Sequence, residues 1–159
     1  MTWWKQFKPS ACVVKLKSTS KEDVFDELVG TLVKAKVLDA ALSAAASKAL
    51  AEREALASTG VGMGVAIPHV KLSGLERVAC SLAVQPDGLE WAAVDGEPVR
   101  ILFLVLRPDG ATSEYDPEEH LEMMRWVAGL GREPDFRAFA LQAKTKSELV
   151  GLLKEMSPV

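Results

Sequence analysis

The chain contains only two histidines, His69 and His120, and these are its strongest candidates for chemistry. His69 follows Ile67-Pro68, and a proline, which has no backbone N–H, places this tripeptide at a strand end. His120 falls in the first turn of a helix predicted from Pro117, where the helix dipole disfavours a charged imidazole and favours an anion. A neutral imidazole can act as a nucleophile near neutral pH, and a second one can stabilise a phosphoryl group in transfer. Either histidine alone would more often be a structural residue.

An arginine interrupts the apolar side of a helix that the sequence predicts from about Asp39 to Ala57. The predicted core-facing stripe consists of Leu42, Ala46, Ala49 and Leu56. Arg53 falls between the last two members of this stripe. On this helix alone, the favoured interpretation is that the Arg53 stem packs along apolar surface while its guanidinium reaches water. The alternative is that the guanidinium enters a cleft and binds an anion.

Three glycines, Gly60, Gly62 and Gly64, lie between this helix and the next predicted strand. A phosphate loop or dinucleotide fingerprint follows a strand and opens a helix, so the order here is reversed. The spacing also matches neither motif, which excludes that interpretation. The glycines then form either a permissive loop that ends the helix or a close backbone approach beside a site.

The composition of the 159 residues, with a net charge of -3, bounds the class of protein. There is no basic excess of the kind that nucleic-acid binding requires. The longest apolar run, residues 101–106, is too short to cross a membrane. Cys12 and Cys80 have no metal-type spacing and indicate a reducing compartment. A two-histidine metal site lacks a third ligand placed by spacing. We therefore expect a cytoplasmic protein with one domain over residues 1–159, without metal, cofactor or direct membrane insertion.

Local patterns predict an α/β fold with a mixed sheet between helices on both faces. The predicted strands are Ala11–Lys17, Val65–Ile67, Val78–Val84 and Arg100–Leu106. Asp95-Gly96 between the last two predicts a hairpin. The predicted helix N-caps are Ser20, Asp116 and Thr145. Their helices carry apolar residues at helical spacing, such as Val24, Leu28 and Leu32 in the first helix.

The block from Arg53 to His69, which contains STGVGMGVAIPH, resembles the enzyme IIA domain of the fructose/mannitol/nitrogen branch of the bacterial phosphotransferase system. The hairpin segment Trp91–Leu106 and His120-Leu121 at a helix start are similar to later parts of that family. The resemblance implies that His69 accepts a phosphoryl group from a small carrier protein phosphorylated on histidine. It further implies that His120 and Arg53 line the phosphoryl site, with no metal needed. The loop beside this site would contain Ser58, Thr59, Gly60, Gly62 and Gly64.

Two positions depart from the family pattern. Met63 replaces an asparagine that is common in the glycine loop, and Val70 replaces a common glycine after the histidine. The resemblance implies a nitrogen-type regulatory role, in which a regulatory protein or an enzyme IIB reads or accepts the phosphoryl group. Two alternatives stay open: the enzyme IIA component of a sugar permease with separate subunits, and an interaction module that keeps the fold without being phosphorylated.

Overall fold

A mixed sheet with one long central strand organises the protein. The computed structural model describes residues 2–158, and within them it has five α-helices and five β-strands. The helices are α1 (Lys21–Lys34), α2 (Ser43–Leu56), α3 (Pro117–Arg132), α4 (Pro134–Gln142) and α5 (Lys146–Glu155). The strands are β1 (Gly60–Gly62), β2 (Val65–Ala66), β3 (His69–Lys71), β4 (Ala79–Leu89) and β5 (Val99–Arg107). No helix in this described part of the chain is both long and apolar enough to span a membrane.

Strand β5 is the centre of the sheet, and its two edges differ in direction. On one edge, β4 runs antiparallel to β5, which confirms the predicted mixed sheet. On the other edge, the short strands β2 and β3 run parallel to β5 and pair with successive parts of it. Strand β1 adds to β2 in antiparallel fashion. Pro68 falls between β2 and β3, so its missing N–H interrupts no ladder, and His69 opens a new strand.

Side-chain alternation along β5 divides the core into two layers, as the continuous apolar sequence predicts for a strand covered on both faces. Ile101, Phe103 and Val105 pack in the layer formed by α3, α4 and α5. Leu102, Leu104 and Leu106 pack in the layer formed by α1 and α2. Helices therefore cover both faces of the sheet, which confirms the predicted architecture.

The predicted helix N-caps are confirmed. The Ser20 and Thr145 hydroxyls accept hydrogen bonds from the backbone N–H groups of Asp23 and Glu148. The Asp116 carboxylate accepts one from Glu118 N at the start of α3. Each cap satisfies a backbone donor that the first helical turn leaves free, so short polar residues fix where these helices begin.

The prediction of a strand over Ala11–Lys17 is wrong. Pro9–Ala11 forms a 3-10 turn, and after it only Val13 makes a β-bridge, to Ala83. The segment still lies along β4, because Leu16 N donates to Val84 O. Its next backbone N–H groups, at Lys17 and Ser18, donate to the Glu27 carboxylate instead of a strand. The alternation of apolar residues and lysines therefore belongs to a segment that runs along the outer side of β4 but does not form a continuous ladder of strand hydrogen bonds with it.

The predicted stripe of α2 is wrong at its end. Leu56 is 85% exposed, whereas Ala46, Leu50 and Glu54 form the buried row. The α-helix begins at Ser43, after a 3-10 turn over Ala40–Leu42 that contains Leu42. An i, i+4 row therefore faces the core, and it places a carboxylate there.

The hairpin predicted at Asp95-Gly96 is confirmed, although its connection is longer than a two-residue turn. Strand β4 ends at Leu89 and β5 begins at Val99, with paired registers on both sides. Trp91 is fully buried within this connection, which anchors it in the layer formed by α1 and α2. The tryptophan side chain thus holds the loop against the core.

Candidate functional site

His69 is the first residue of β3 and lies directly beside the central strand. Its Cα pairs with that of Val105, and Val105 N donates to Pro68 O at 2.9 Å. Because side chains alternate along a strand, Val70 turns to the layer of α1 and α2, and His69 turns to the opposite layer. The His69 side chain is half-buried, which leaves it accessible from outside.

His120 lies in the first turn of α3, where the local sequence fixes the helix start. Asp116 caps the helix, and Pro117 occupies its first position. His120 N donates to Asp116 O, and the side chain is only 7% exposed. Helix α3 packs on the face of the sheet to which His69 turns, so the two histidines meet.

The two imidazoles are in direct contact. The Nε2 atoms of His69 and His120 are 3.0 Å apart, and their ring centroids are 5.1 Å apart. At this distance one Nε2 must carry a proton and the other must offer its lone pair. The centroid of the Tyr115 ring lies 5.3 Å from that of the His120 ring. The structure therefore brings together the two residues that the sequence singled out first.

Both histidines are neutral at physiological pH. Burial, the neighbouring His120 and Arg107 lower the pKa of His69 from 6.5 to about 4. Burial and Arg107 lower the pKa of His120 to about 4. When both rings are neutral, one Nε2 carries a proton and the other has a lone pair. A nitrogen nucleophile requires such a lone pair.

Arg107 is a site residue that the sequence analysis missed. It ends β5 opposite Lys71, two positions after the partner of His69, and its guanidinium donates to Pro108 O. Its charge acts on both imidazoles, since it lowers both pKa values. The sequence does mark Arg107 as the first charged residue after the apolar run Ile101–Leu106. Its proximity to His69 follows only from the register of β5 with β3, which the sequence pattern does not give.

Arg53 is hydrogen-bonded within its own chain segment and not to the histidines. Its Nη1 donates to Ala57 O at 2.7 Å, which closes the end of its own helix. Helix α2 packs on the opposite side of the sheet from α3, although it also contacts β3. Within residues 2–158, no hydrogen bond joins Arg53 to either imidazole. Its assignment to the phosphoryl site stays a prediction.

Ser58 and Thr59 are held in a buried network. The Ser58 hydroxyl donates to Trp91 O, and Thr59 donates through both its N–H and its hydroxyl to the Glu54 carboxylate. Trp91 Nε1 donates to the Thr59 hydroxyl, and Lys21 Nζ lies 2.9 Å from Glu54 Oε2. These contacts attach the loop to α1, to α2 and to the β4–β5 connection.

The three glycines have steric reasons to be glycine. A Cβ at Gly60 would lie 2.7 Å from the Cβ of Ala93. Gly62 and Gly64 have φ angles of 99° and 76°, in the left-handed region that glycine favours. Met63 between them has φ 57°, so the turn from β1 to β2 uses three consecutive left-handed residues. The prediction of a loop that ends the helix is wrong, because α2 ends earlier, at Leu56, and Gly60–Gly62 forms strand β1, which pairs with β2. The part of this segment in phosphoryl binding stays a prediction.

Metal ligands do not converge in the part of the chain that the structure describes. Residues 2–158 contain no group of three or more histidine, cysteine or carboxylate side chains placed to hold an ion. The arrangement of His69 and His120 instead has the form of a nucleophile beside a proton-bearing neighbour.

Comparison with known proteins identifies the family of this chain. Residues 5–156 match the family described as phosphoenolpyruvate-dependent sugar phosphotransferase system, EIIA 2. A nitrogen regulatory protein of Bradyrhizobium diazoefficiens is 33% identical over 94% of this chain and 92% of its own length. The fructose-specific EIIABC component of Bacillus subtilis is 29% identical over 89% of this chain, which spans only 21% of that relative.

A solved structure extends the likeness to three dimensions. The nitrogen regulatory protein IIA-Ntr of Neisseria meningitidis superposes with a TM-score of 0.81 at 28% identity. The superposition covers 94% of this chain and 97% of that one. Because the family match spans nearly the whole chain, the resemblance found in the sequence is confirmed. This protein belongs to the EIIA 2 family of the phosphoenolpyruvate-dependent sugar phosphotransferase system.

Proposed function

We propose that this protein carries a phosphoryl group on His69. The single observation that supports this most is the 3.0 Å contact between the Nε2 atoms of two neutral histidines, one of them half-buried and the other buried. His69 is the acceptor because a partner protein can reach it, whereas His120 is 7% exposed. A neutral imidazole at an accessible strand start is suited to attack a phosphorus atom.

The proposed reaction is an in-line transfer between two imidazoles. The Nε2 lone pair of His69 forms a bond to phosphorus as the bond between phosphorus and the donor's imidazole nitrogen breaks. The electron pair of the broken bond returns to the donor's nitrogen, so both rings keep their remaining N–H and the charge balances. The donor is already activated, and the site mainly positions and stabilises charge.

His120 and Arg107 have separate roles in this proposal. His120 Nε2–H donates to the lone pair of His69 before transfer and to a phosphoryl oxygen after it. Arg107 supplies the positive charge that the incoming group requires, since its field already reaches both rings. His120 also lies in the first turn of α3, and a helix N-terminus favours a nearby anion.

Arg53 and the loop of Ser58, Thr59, Gly60, Gly62 and Gly64 remain in the proposal through the family resemblance. Arg53 joins the phosphoryl site only if its guanidinium leaves Ala57 O. Helix α2, which carries Arg53, contacts β3, the strand that begins with His69. The comparison of Arg53 with Arg107 by mutation separates the two candidates.

We further propose a regulatory role of the nitrogen type. The chain covers 92% of a relative named as a nitrogen regulatory protein, and a second such protein superposes over 97% of its length. The phosphoryl donor would be a carrier protein phosphorylated on histidine, and the reader would be a regulatory protein or an enzyme IIB. A role with separate sugar-permease subunits is the second candidate, favoured by the similarity to the fructose EIIABC component.

The test is phosphorylation by the histidine-phosphorylated carrier of the same organism, followed by intact mass measurement. The expected result is a gain of one acid-labile phosphoryl group that is absent in His69→Ala and present in Lys71→Ala, a matched change on the same strand. No gain from a carrier that phosphorylates another acceptor would overturn the proposal. The fold would then serve binding alone, and Met63 and Val70 would be the departures to examine.

A further inference from the structure

The buried ring of His120 is held by a single hydrogen bond in the part of the chain that the structure describes. Its Nε2 lies 3.0 Å from Nε2 of His69, whereas its Nδ1 is buried and has no hydrogen-bond partner within residues 2–158. A working histidine is commonly oriented by a hydrogen bond at its second ring nitrogen. Rotation of an imidazole about its bond to Cβ has broad energy wells, so one hydrogen bond fixes the ring plane only loosely. Packing must therefore supply the remaining constraint.

Tyr115 provides this packing. Its ring centroid lies 5.3 Å from that of His120, with 59° between the two ring planes, and the residue is only 6% exposed. Aromatic rings favour such separations and tilted arrangements. Tyr115 and His120 also line one cleft beside the start of α3. Since Nδ1 of His120 has no hydrogen-bond partner and Nε2 bonds to His69, the contact is made by the tyrosine ring and not by its hydroxyl.

The loop between β5 and α3 fixes the position of Tyr115. Thr112 N donates to Tyr115 O at 3.1 Å, which folds the loop back on itself. The Thr112 hydroxyl donates to Glu76 O, and Arg77 forms an ion pair with Glu114 at 2.9 Å. Glu76 and Arg77 belong to the segment between β3 and β4. The chain that leaves the strand of the first histidine therefore makes the contacts that hold the loop of Tyr115.

We propose that Tyr115 is a positioning residue for phosphoryl transfer, because its ring keeps the His120 imidazole in the orientation that places its Nε2 against Nε2 of His69. The inference rests on the proposed function, in which His120 donates first to the lone pair of His69 and then to a phosphoryl oxygen. A donor that turns away from this position would stabilise neither state.

The charged groups near His120 are separate from Tyr115. Besides His69, the charge of Arg107 acts on this ring, and three carboxylates line the same cleft: Glu114, Asp116 and Glu119. Replacement of Tyr115 removes none of these groups. Burial is the largest cause of the low pKa of His120. A change in that pKa after replacement of Tyr115 therefore reports a loss of packing around the ring.

The first test is a titration of His120 in the full chain, without any phosphoryl donor. In Tyr115→Ala water reaches the ring, so the pKa of His120 should rise from about 4 towards 6.5. Tyr115→Phe keeps the ring and should leave the pKa unchanged. Proton NMR of the imidazole Cε1–H signal follows the titration. A wild-type pKa in folded Tyr115→Ala would overturn the inference.

The second test measures transfer from the histidine-phosphorylated carrier. Tyr115→Ala should lower the maximal rate of His69 phosphorylation about two- to tenfold, the worth of one aromatic pair. The carrier concentration at half-maximal rate should not change, because a residue that is 6% exposed offers the carrier little surface. Tyr115→Phe should transfer at the wild-type rate. An effect on the half-maximal concentration alone, or an equal loss of rate in Tyr115→Phe, would overturn the inference.

Phe139→Ala is the matched control. It removes an aromatic ring from a position on α4 that is 57% exposed, and it should alter neither the pKa of His120 nor the transfer rate. If Tyr115→Ala does not fold, Tyr115→Leu decides, since leucine keeps an apolar side chain without the flat ring. It should show both changes to a smaller extent, and wild-type values of both would overturn the inference.

The two tests separate this inference from the proposed function. If the wild-type protein is never phosphorylated but the pKa of His120 responds to Tyr115→Ala, the proposed function fails and the packing role of Tyr115 stands. If His69 is phosphorylated and neither the pKa nor the rate responds, the proposed function stands and Tyr115 is not a positioning residue.

Discussion

The Nε2 atoms of His69 and His120 are hydrogen-bonded to each other across 3.0 Å, although the residues lie on different elements. One nitrogen is therefore a donor at the moment the other is an acceptor, and the protonation of one ring determines what the other can do. A phosphoryl group added to His69 Nε2 would take the place of this bond and accept from the same His120 N–H. The buried ring is thus already positioned for the product of transfer.

Replacement of His120 tests this positioning. His120→Ala removes the donor, and we expect the rate of His69 phosphorylation to fall about 100-fold, as when a donor to a developing negative charge is lost. His120→Gln places an amide N–H near the position of Nε2, and its rate should be intermediate, about tenfold below wild type. Rapid-quench phosphorylation by the carrier measures both rates. Equal rates for the two variants would contradict a role for the Nε2 proton.

The lowered pKa values predict how stability depends on pH. Each histidine has a pKa of about 4 in the folded protein against 6.5 ordinarily. Between these values the unfolded chain binds more protons, so the histidine contribution to the free energy of unfolding is constant above about pH 6.5 and decreases as pH falls towards 4. For the buried His120 alone the loss is on the order of 3 kcal/mol at pH 4. Urea denaturation at several pH values measures it.

His120→Leu provides the comparison for this pH dependence. Leucine fills much of the same space but does not titrate, so the variant should lose less stability than wild type between pH 6.5 and 4. The difference between the two profiles removes contributions from other groups. If the two profiles are parallel, His120 is not a neutral buried imidazole in the folded protein.

Substitution of Arg107 and of Arg53 should have different effects on the pKa values of the two histidines. Arg107→Gln removes a charge that lowers both imidazole pKa values, so both should rise towards 6.5. Arg53→Gln should leave both pKa values unchanged, because Arg53 is bonded to Ala57 O. Proton NMR of the imidazole Cε1–H signals follows the titrations. If the histidine pKa values rise in Arg53→Gln but not in Arg107→Gln, then Arg53 and not Arg107 is the cation beside the two imidazoles.

The sequence predicted local features well because single residues control them. Ser20, Asp116 and Thr145 place the helix starts through one hydrogen bond each, and Asp95-Gly96 predicts the hairpin. The fold class follows from continuous apolar strands that need cover on both faces. By contrast, the strand over residues 11–17 failed because Glu27, on a helix, satisfies backbone donors that a ladder would need.

The site was less accessible to prediction because it depends on contacts between distant residues. Nothing local indicates that residue 120 faces residue 69, and the family resemblance supplied that pairing. Arg107 is missed because its position follows from the register of β3 with β5, which no single-strand pattern contains. The same resemblance assigns Arg53 to the site. The spacing of apolar residues along the helix does not predict the hydrogen bond from Arg53 to Ala57 O.

The buried carboxylate of Glu54 should contribute strongly to the free energy of unfolding. Burial raises the pKa of Glu54, but hydrogen bonds from Thr59 and Lys21 outweigh burial and lower it overall. Glu54→Gln leaves Lys21 without its charge partner and Thr59 with a weaker acceptor, so unfolding should cost about 2 to 4 kcal/mol less. Chemical denaturation at pH 7 measures the change.

The control for this prediction lies on the same helix. Glu52→Gln changes an exposed carboxylate, 3.7 Å from Lys48, and should cost less than about 0.5 kcal/mol. The Glu54 contribution is present above the ordinary pKa of 4.5 and is lost as pH falls through its lower folded value. The difference between wild type and Glu54→Gln should therefore shrink in acid. A constant difference would mean that packing, and not charge, accounts for the loss.

Met63 offers a test of the turn that precedes β2. Its backbone has φ 57° and its side chain is 47% exposed, so a long apolar residue occupies a left-handed position with little packing in return. Asparagine adopts that conformation more readily, and Met63→Asn should raise the free energy of unfolding by about 0.5 to 1 kcal/mol. Val61→Asn, on the neighbouring strand and 49% exposed, should bring no such gain. Chemical denaturation compares the two; if Met63→Asn is no more stable than wild type, the turn stores no strain at Met63.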